Sequence, residues 1–134
     1  MIKQIFVNLP VKDLNATKAF FAALGFTFND KFTDDNAACL VLGENIFAML
    51  LKEEFFKTFI KKELVNAETH TEVLNAIEIH NKPEVDEMVA KAVAAGGKDL
   101  RTNDYGWMYS RAFEDLDGHI WEVFWADESK FEKK

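Results

Sequence analysis

Ala22-Ala23-Leu24-Gly25 closes an apolar helical stripe, and about 72 residues later Ala94-Ala95-Gly96-Gly97 closes a second one. The residues around the two strings keep one order. Ile2 to Leu9 precedes the first string and reads as a strand, and Pro10-Val11-Lys12-Asp13 then punctuates the chain. Asp13 is a good helix N-cap, because its short carboxylate can accept from a free amide of the first turn. Leu14, Thr17, Phe20, Phe21 and Leu24 follow at helical spacing, and Gly25 stops the helix. Three apolar runs come next, Phe26 to Phe32, Ala37 to Leu42 and Ile46 to Leu51. Asp34-Asp35-Asn36 and Gly43-Glu44-Asn45 separate them as turns. The order is β-α-β-β-β.

The second half repeats it. Val73 to His80 is the strand and Asn81-Lys82-Pro83 the helix start. Val85, Met88, Val89, Ala92 and Val93 form the stripe that Gly96-Gly97 ends. Lys98 to Arg101, Met108 to Phe113 and His119 to Trp125 supply three more strands, joined by turns around Asn103-Asp104 and Asp117-Gly118. Pattern, not identity, relates the halves. The expected organisation is one α+β domain over 1–126, with module one at 1–58, a connector at 59–72, module two at 73–126 and a charged tail at 127–134. Around the connector, Phe55, Phe56, Phe59 and Ile60 lie on one side of a short helix, with lysines and glutamates opposite.

Composition narrows the function classes. A chain of 134 residues fits one domain with a real core. Its 13 phenylalanines suit cores and apolar clefts. The formal net charge of −7 repels phosphate backbones, so no nucleic-acid partner is expected. No apolar segment reaches the length of a membrane span, and Met1-Ile2-Lys3-Gln4-Ile5 lacks the apolar run of a secretory leader. The expected location is the cytoplasm, with no membrane partner. Cys39 is alone among Ala37, Ala38, Leu40 and Val41, which makes it a small core hydrophobe rather than a nucleophile.

Three strings carry a family resemblance: Phe6-Val7-Asn8-Leu9-Pro10-Val11-Lys12-Asp13-Leu14, Phe20-Phe21-Ala22-Ala23-Leu24-Gly25-Phe26, and Asp115-Leu116-Asp117-Gly118-His119-Ile120-Trp121-Glu122. In this order they resemble the landmarks of the vicinal-oxygen-chelate superfamily, which includes glyoxalases, bleomycin-resistance proteins and extradiol dioxygenases. More narrowly, the chain looks like a bacterial branch known as predicted lactoylglutathione lyases. The resemblance implies two βαβββ modules whose curved mixed sheets enclose a cleft. In metal-using members, the first and last strands of each module supply four ligands to a divalent ion. Carried over one by one, the first-strand position of module one falls on Phe6, and its counterpart, stepped by the repeat, on Glu78. The last-strand position of module two falls on Glu122, and its counterpart near Ala48 or Met49.

Phenylalanine cannot ligate a metal, so a four-ligand site is not expected. Glu78 and Glu122, with His80 assisting, would hold at most a weakly bound divalent ion such as magnesium or manganese. Glu122, lodged between Trp121 and Val123, needs a compensating charge nearby. Tyr109, Arg111 and Phe113 alternate on one strand face. If that face is the cleft, Arg111 would clamp a ligand carboxylate; otherwise it pairs with Glu122 or Glu78. Phe6, Trp121, Trp107, Trp125 and Phe47 are candidate apolar walls, each equally suited to plain core.

Two functions fit these residues best, beside a third, a stress or regulatory protein with a vestigial cleft. One is a glyoxalase-type lyase or isomerase acting on a small molecule, with Glu122 as general base on a carbon acid beside a carbonyl and Glu78 as its partner. The other is a non-catalytic protein that sequesters a small apolar or aromatic compound, as bleomycin-resistance proteins do. A homodimer is expected in either case, with Phe55, Phe56 and Phe59 near the interface.

Overall fold

The computed structural model describes residues 1–130, so Phe131–Lys134 of the expected tail lie outside the described residues. Contacts divide the chain into two compact units, Met1–Asn66 and the residues from Ala67 onward, and the expected connector is shared between them. The first unit runs β1 (Ile5–Val11), α1 (Leu14–Ala23), β2 (Thr27–Phe28), β3 (Ala37–Gly43), β4 (Ile46–Lys52) and the short α2 (Glu53–Lys57). The second runs β5 (Leu74–Glu78), α3 (Lys82–Ala94), β6 (Lys98–Asp104), β7 (Met108–Glu114) and β8 (Ile120–Ala126). Each unit is a four-stranded mixed sheet, ordered β1-β4-β3-β2 and β5-β8-β7-β6, and neither closes into a barrel. The first strand lies parallel to the last in each, and the other pairs are antiparallel. The duplicated β-α-β-β-β order is therefore present.

Capping defines both main helices. Asp13 Oδ1 accepts from Ala16 N at 3.0 Å, and Asn81 Oδ1 from Glu84 N at 3.1 Å, with Pro83 in the first turn of α3. Each helix ends into a left-handed glycine, Gly25 (φ 99°) and Gly96 (φ 109°). Leu14, Thr17, Phe20 and Phe21 bury one face of α1, which packs on β3 and β4, where Ala38, Leu40 and Leu50 are sealed from solvent. In the second unit Val85, Val89 and Ala92 of α3 play the same part against β6, β7 and β8. Each fully buried Leu, Val or Phe contributes about 1.5–3 kcal/mol.

Several boundaries differ from the sequence expectation. Strand β1 continues through Pro10 to Val11, because it is an edge strand, where a missing N–H is tolerated. The run Phe26 to Phe32 keeps only a two-residue strand. Asn29 accepts from Lys31 N at 3.0 Å and starts a 3-10 turn over Asp30–Phe32. Strand β6 extends to Asp104, and the turn falls one step later, where Asp104 Oδ1 accepts from Gly106 N at 2.9 Å. The tail begins in order: Asp127 N donates to Trp107 O at 2.7 Å, and Glu128–Lys130 form a 3-10 turn.

The β7–β8 turn is built on one buried carboxylate. Asp115 Oδ1 accepts from the backbone N–H of Asp117 and of His119, both at 3.0 Å, and Oδ2 accepts from Trp121 Nε1 at 3.0 Å. Burial pushes this carboxyl upward, against the pull of His119 and of the donors around it. Gly118 follows at φ 90°, and a Cβ there would meet Ala67 O at 2.7 Å. Asp115→Ala strands three donors and should cost about 3 kcal/mol or more of unfolding free energy. Gly118→Ala should destabilise as well, by strain and by collision. Urea denaturation checks both, and a loss under about 1 kcal/mol for Asp115→Ala would contradict this account.

Candidate functional site

Cross-strand pairing sorts the second sheet into two faces. Tyr109, Arg111 and Phe113 pair with Trp125, Val123 and Trp121, on the face that α3 covers. Ser110, Ala112 and Glu114 pair with Phe124, Glu122 and Ile120, on the opposite face, which α3 leaves open although Ser110 and Ala112 are themselves buried. From β5, Ala76 and Glu78 join the open face beside Glu122 and Phe124. This assignment corrects the placement of Tyr109 and Arg111. Arg111 reaches neither Glu122 nor Glu78. Its Nη1 donates to Asp86 Oδ1 at 2.9 Å, on α3, and its Nη2 to Asp99 Oδ2 at 2.6 Å. Tyr109 Oη donates to the same Asp86 oxygen at 2.6 Å, and Lys82 Nζ stands 4.9 Å over the Tyr109 ring. These residues fasten α3 to the sheet. Trp121, 1% exposed and bonded to Asp115, belongs to the same packed layer and offers no surface to a ligand.

Glu122 lies on the open face, and its compensating cation is Arg101. Arg101 Nη2 donates to Glu122 Oε1, with 39% and 19% of the two side chains exposed. Asn103, its amide oxygen turned toward Arg101, accepts from Nη1 at 2.7 Å while its nitrogen donates to Thr102 O at 3.2 Å. A β-bulge makes this arrangement. Asp99 pairs with Phe113 but Arg101 with Ala112, so Leu100 is the extra residue. Asp99 thereby faces α3, and Arg101 and Asn103 face the open side. Strict alternation would put all three on one face. Sequence reasoning missed Arg101 and Asn103 for that reason. The available signal was the charge that Glu122 demands.

Glu78 and His80 come together elsewhere. With Ile79, Trp125, Ala126 and Glu128 they line a depression of about 280 Å³ at the end of β5 and β8. His80 itself lies past the end of β5. The structure also corrects the repeat register that gave Glu78 its role. Phe6 precedes the N-cap Asp13 by seven residues, and the residue seven before the N-cap Asn81 is Leu74. Strand pairing agrees: Phe6 pairs with Phe47, two residues before Met49, and Leu74 with Ile120, two before Glu122. The spacing of about 72 residues holds at the helix ends only, because α3 has 13 residues and α1 has 10. Ala48 faces α1 with Leu40 and Leu50, which leaves Met49 as the counterpart of Glu122. Phe6 stacks on Phe47 at 4.9 Å between centroids and meets Phe32 edge-on at 6.2 Å.

The four positions to which the resemblance carries metal ligands thus hold Phe6, Met49, Leu74 and Glu122, with a single oxygen donor among them. This donor set does not fit a chelated divalent ion. Among the described residues no three His, Cys, Asp or Glu side chains gather around a common point. Cys39 is buried, burial pushes its thiol upward, and it behaves as core.

Residues 3–43 match the bleomycin resistance protein-like N-terminal family. No curated protein matches the chain. Solved structures do. A hypothetical protein SA1046 from S. aureus superposes with a TM-score of 0.81 at 27% identity, over 94% of this chain and 95% of that one. A glyoxalase/bleomycin resistance protein/dioxygenase family enzyme from Burkholderia phytofirmans PsJN gives 0.73 at 18%, over 90% and 96%. The fosfomycin resistance protein FosX from Listeria monocytogenes, complexed with Mn(II) and sulfate, gives 0.71 at 19%, over 98% and 100%. The fold is therefore the one shared by glyoxalase and bleomycin-resistance proteins. No helix among the described residues is long and apolar enough to cross a membrane.

The Asp86–Tyr109–Arg111 cluster gives a pH signature. The Tyr109 hydroxyl, then Arg111 and Lys82, hold the Asp86 carboxyl below its usual range, and the Asp86 hydrogen bond holds the Tyr109 phenol above its own. Asp86 then contributes stability that is present above about pH 4 and lost as pH falls through its folded value. Tyr109 contributes stability that is present below about pH 10 and lost as pH rises through its raised value. Melting temperature followed across pH should show both limbs weakened in Tyr109→Phe. Unchanged limbs would remove the hydroxyl from the cluster's electrostatics.

Proposed function

We infer that this chain binds a small molecule on the open face of β7 and β8, in the manner of bleomycin-resistance proteins and without a chelated metal. One observation carries this: the only oxygen donor left at the four ligand positions, Glu122, is already neutralised by Arg101. The family match over residues 3–43 supports the same reading. Around the ion pair the open face offers Ala76, Ile120 and Phe124, a floor suited to an apolar or aromatic body.

A second reading rests on Glu122 itself, a partly exposed carboxylate aimed at that face. If its guanidinium partner swings away, Glu122 is placed to take a proton from a carbon acid, which is lyase or isomerase chemistry of the glyoxalase type. That would suit the resemblance to lactoylglutathione lyases. The protein is proposed to work in the cytoplasm as a homodimer, with a second copy covering Phe55 and Phe59, which meet edge-on at 5.1 Å with Phe59 largely exposed.

A screen of aromatic fragments by amide chemical shifts, with and without magnesium or manganese, tests the binding function. Binders should shift β7 and β8 amides equally well without metal. Absolute dependence on metal, or no shift at these strands, would overturn it. Turnover of any bound compound that disappears in Glu122→Gln would select the enzyme instead. Sedimentation at micromolar concentration should show a dimer that Phe59→Glu weakens, and a monomeric native chain would remove the dimer.

A further inference from the structure

We propose that Arg101 anchors the ligand, and that the ligand is a small carboxylate with an apolar or aromatic body. The inference rests on the binding function above and names its chemistry. A guanidinium has five N–H donors in a planar fork. Glu122 and Asn103 engage Nη2 and Nη1, and the rest of the group is left to the open face. Arg101 is 39% exposed there, so its free donors meet solvent or a ligand rather than protein.

The surroundings choose the partner. Exposed Ala76 and half-buried Phe124 lie on the same face, so an anion that docks on Arg101 must bring apolar surface with it. Free phosphate or sulfate would leave those groups wet. A planar carboxylate matches the fork with two parallel hydrogen bonds and rests its body on the strands. The bulge at Leu100 supports the same role, since it aims Arg101 away from α3 while Asp99 still serves Arg111. Glu122 then acts as a positioning residue: it holds the guanidinium flat against β8 and limits its affinity for anions. One fixed positive charge thus stands beside the carboxylate that metal-using relatives give to a cation.

Benzoate and its neutral analogue benzamide, followed by amide shifts on the full chain, test this. Benzoate should shift Arg101, Glu122 and Phe124 at millimolar concentration, and benzamide should bind more weakly. Arg101→Gln should weaken benzoate about tenfold and benzamide far less, since the amide carries neither the charge nor the second parallel bond. Arg101→Lys should fall between, having the charge without the fork. Glu122→Gln, which releases the guanidinium, should tighten benzoate by roughly three- to tenfold. Retained dispersion of the spectra shows that each variant is folded. Equal binding of the two compounds to native protein and Arg101→Gln would overturn the anchor while leaving the binding function standing. Weaker benzoate binding in Glu122→Gln would also overturn it. Mn(II) broadening centred on Glu122 in the native protein would show that a cation, not Arg101, belongs there. If neither compound nor any other aromatic fragment shifts this face, the binding function itself falls, and the anchor with it.

Discussion

The Asp115 carboxylate is the constraint from which the second unit is built. It gathers two backbone amides and the Trp121 indole into one buried turn, and so sets where β7 stops and β8 begins. Antiparallel pairing propagates that decision along both strands, and a slip of one residue would exchange their faces. Glu122 faces away from α3 because Trp121 is held toward it. The Asp-x-Asp-Gly-His string that resembles a family signature is thus an architectural device. Its service to the site is indirect, through the register it imposes.

Much of the fold was legible in the sequence, for physical reasons. Helices α1 and α3 announced themselves by stripes of 3.6-residue period ended by glycine; the Asp13 cap is made as expected, and the helix start at Asn81 proves to be capped in the same way. Strands β3, β4, β7 and β8, the inner strands of the two sheets, appeared as apolar runs because each packs one face under a helix and is paired on both sides. Edge strands were read less well. Pro10 looked like punctuation yet lies within β1, and β6 is so exposed that its end carried no hydrophobic signal.

The site was legible in outline only. Glu122 stood out as a carboxylate in an aromatic strand, and its open-face position fits that reading. Its partner was sought on β7, where alternation favoured Arg111, but face assignment depends on which side the helix covers, and one strand's pattern does not say. Arg111 proved to hold α3 through Asp86 and Asp99. The Glu78 register failed for a related reason: unequal helix lengths shift the repeat, and the caps rather than the glycines are the landmarks to measure from.

The bulge in β6 has an evolutionary meaning. A bulge is an insertion that the ladder has absorbed, with Leu100 looped out between two residues that keep opposite duties. Asp99 and Arg101 would hold the same two positions in a chain one residue shorter. The bulged residue can therefore be removed without disturbing either face. A chain that loses Leu100 keeps both the helix clamp and the guanidinium in place. Comparison of such chains by position alone would misplace the arginine, and comparison by strand pairing would find it.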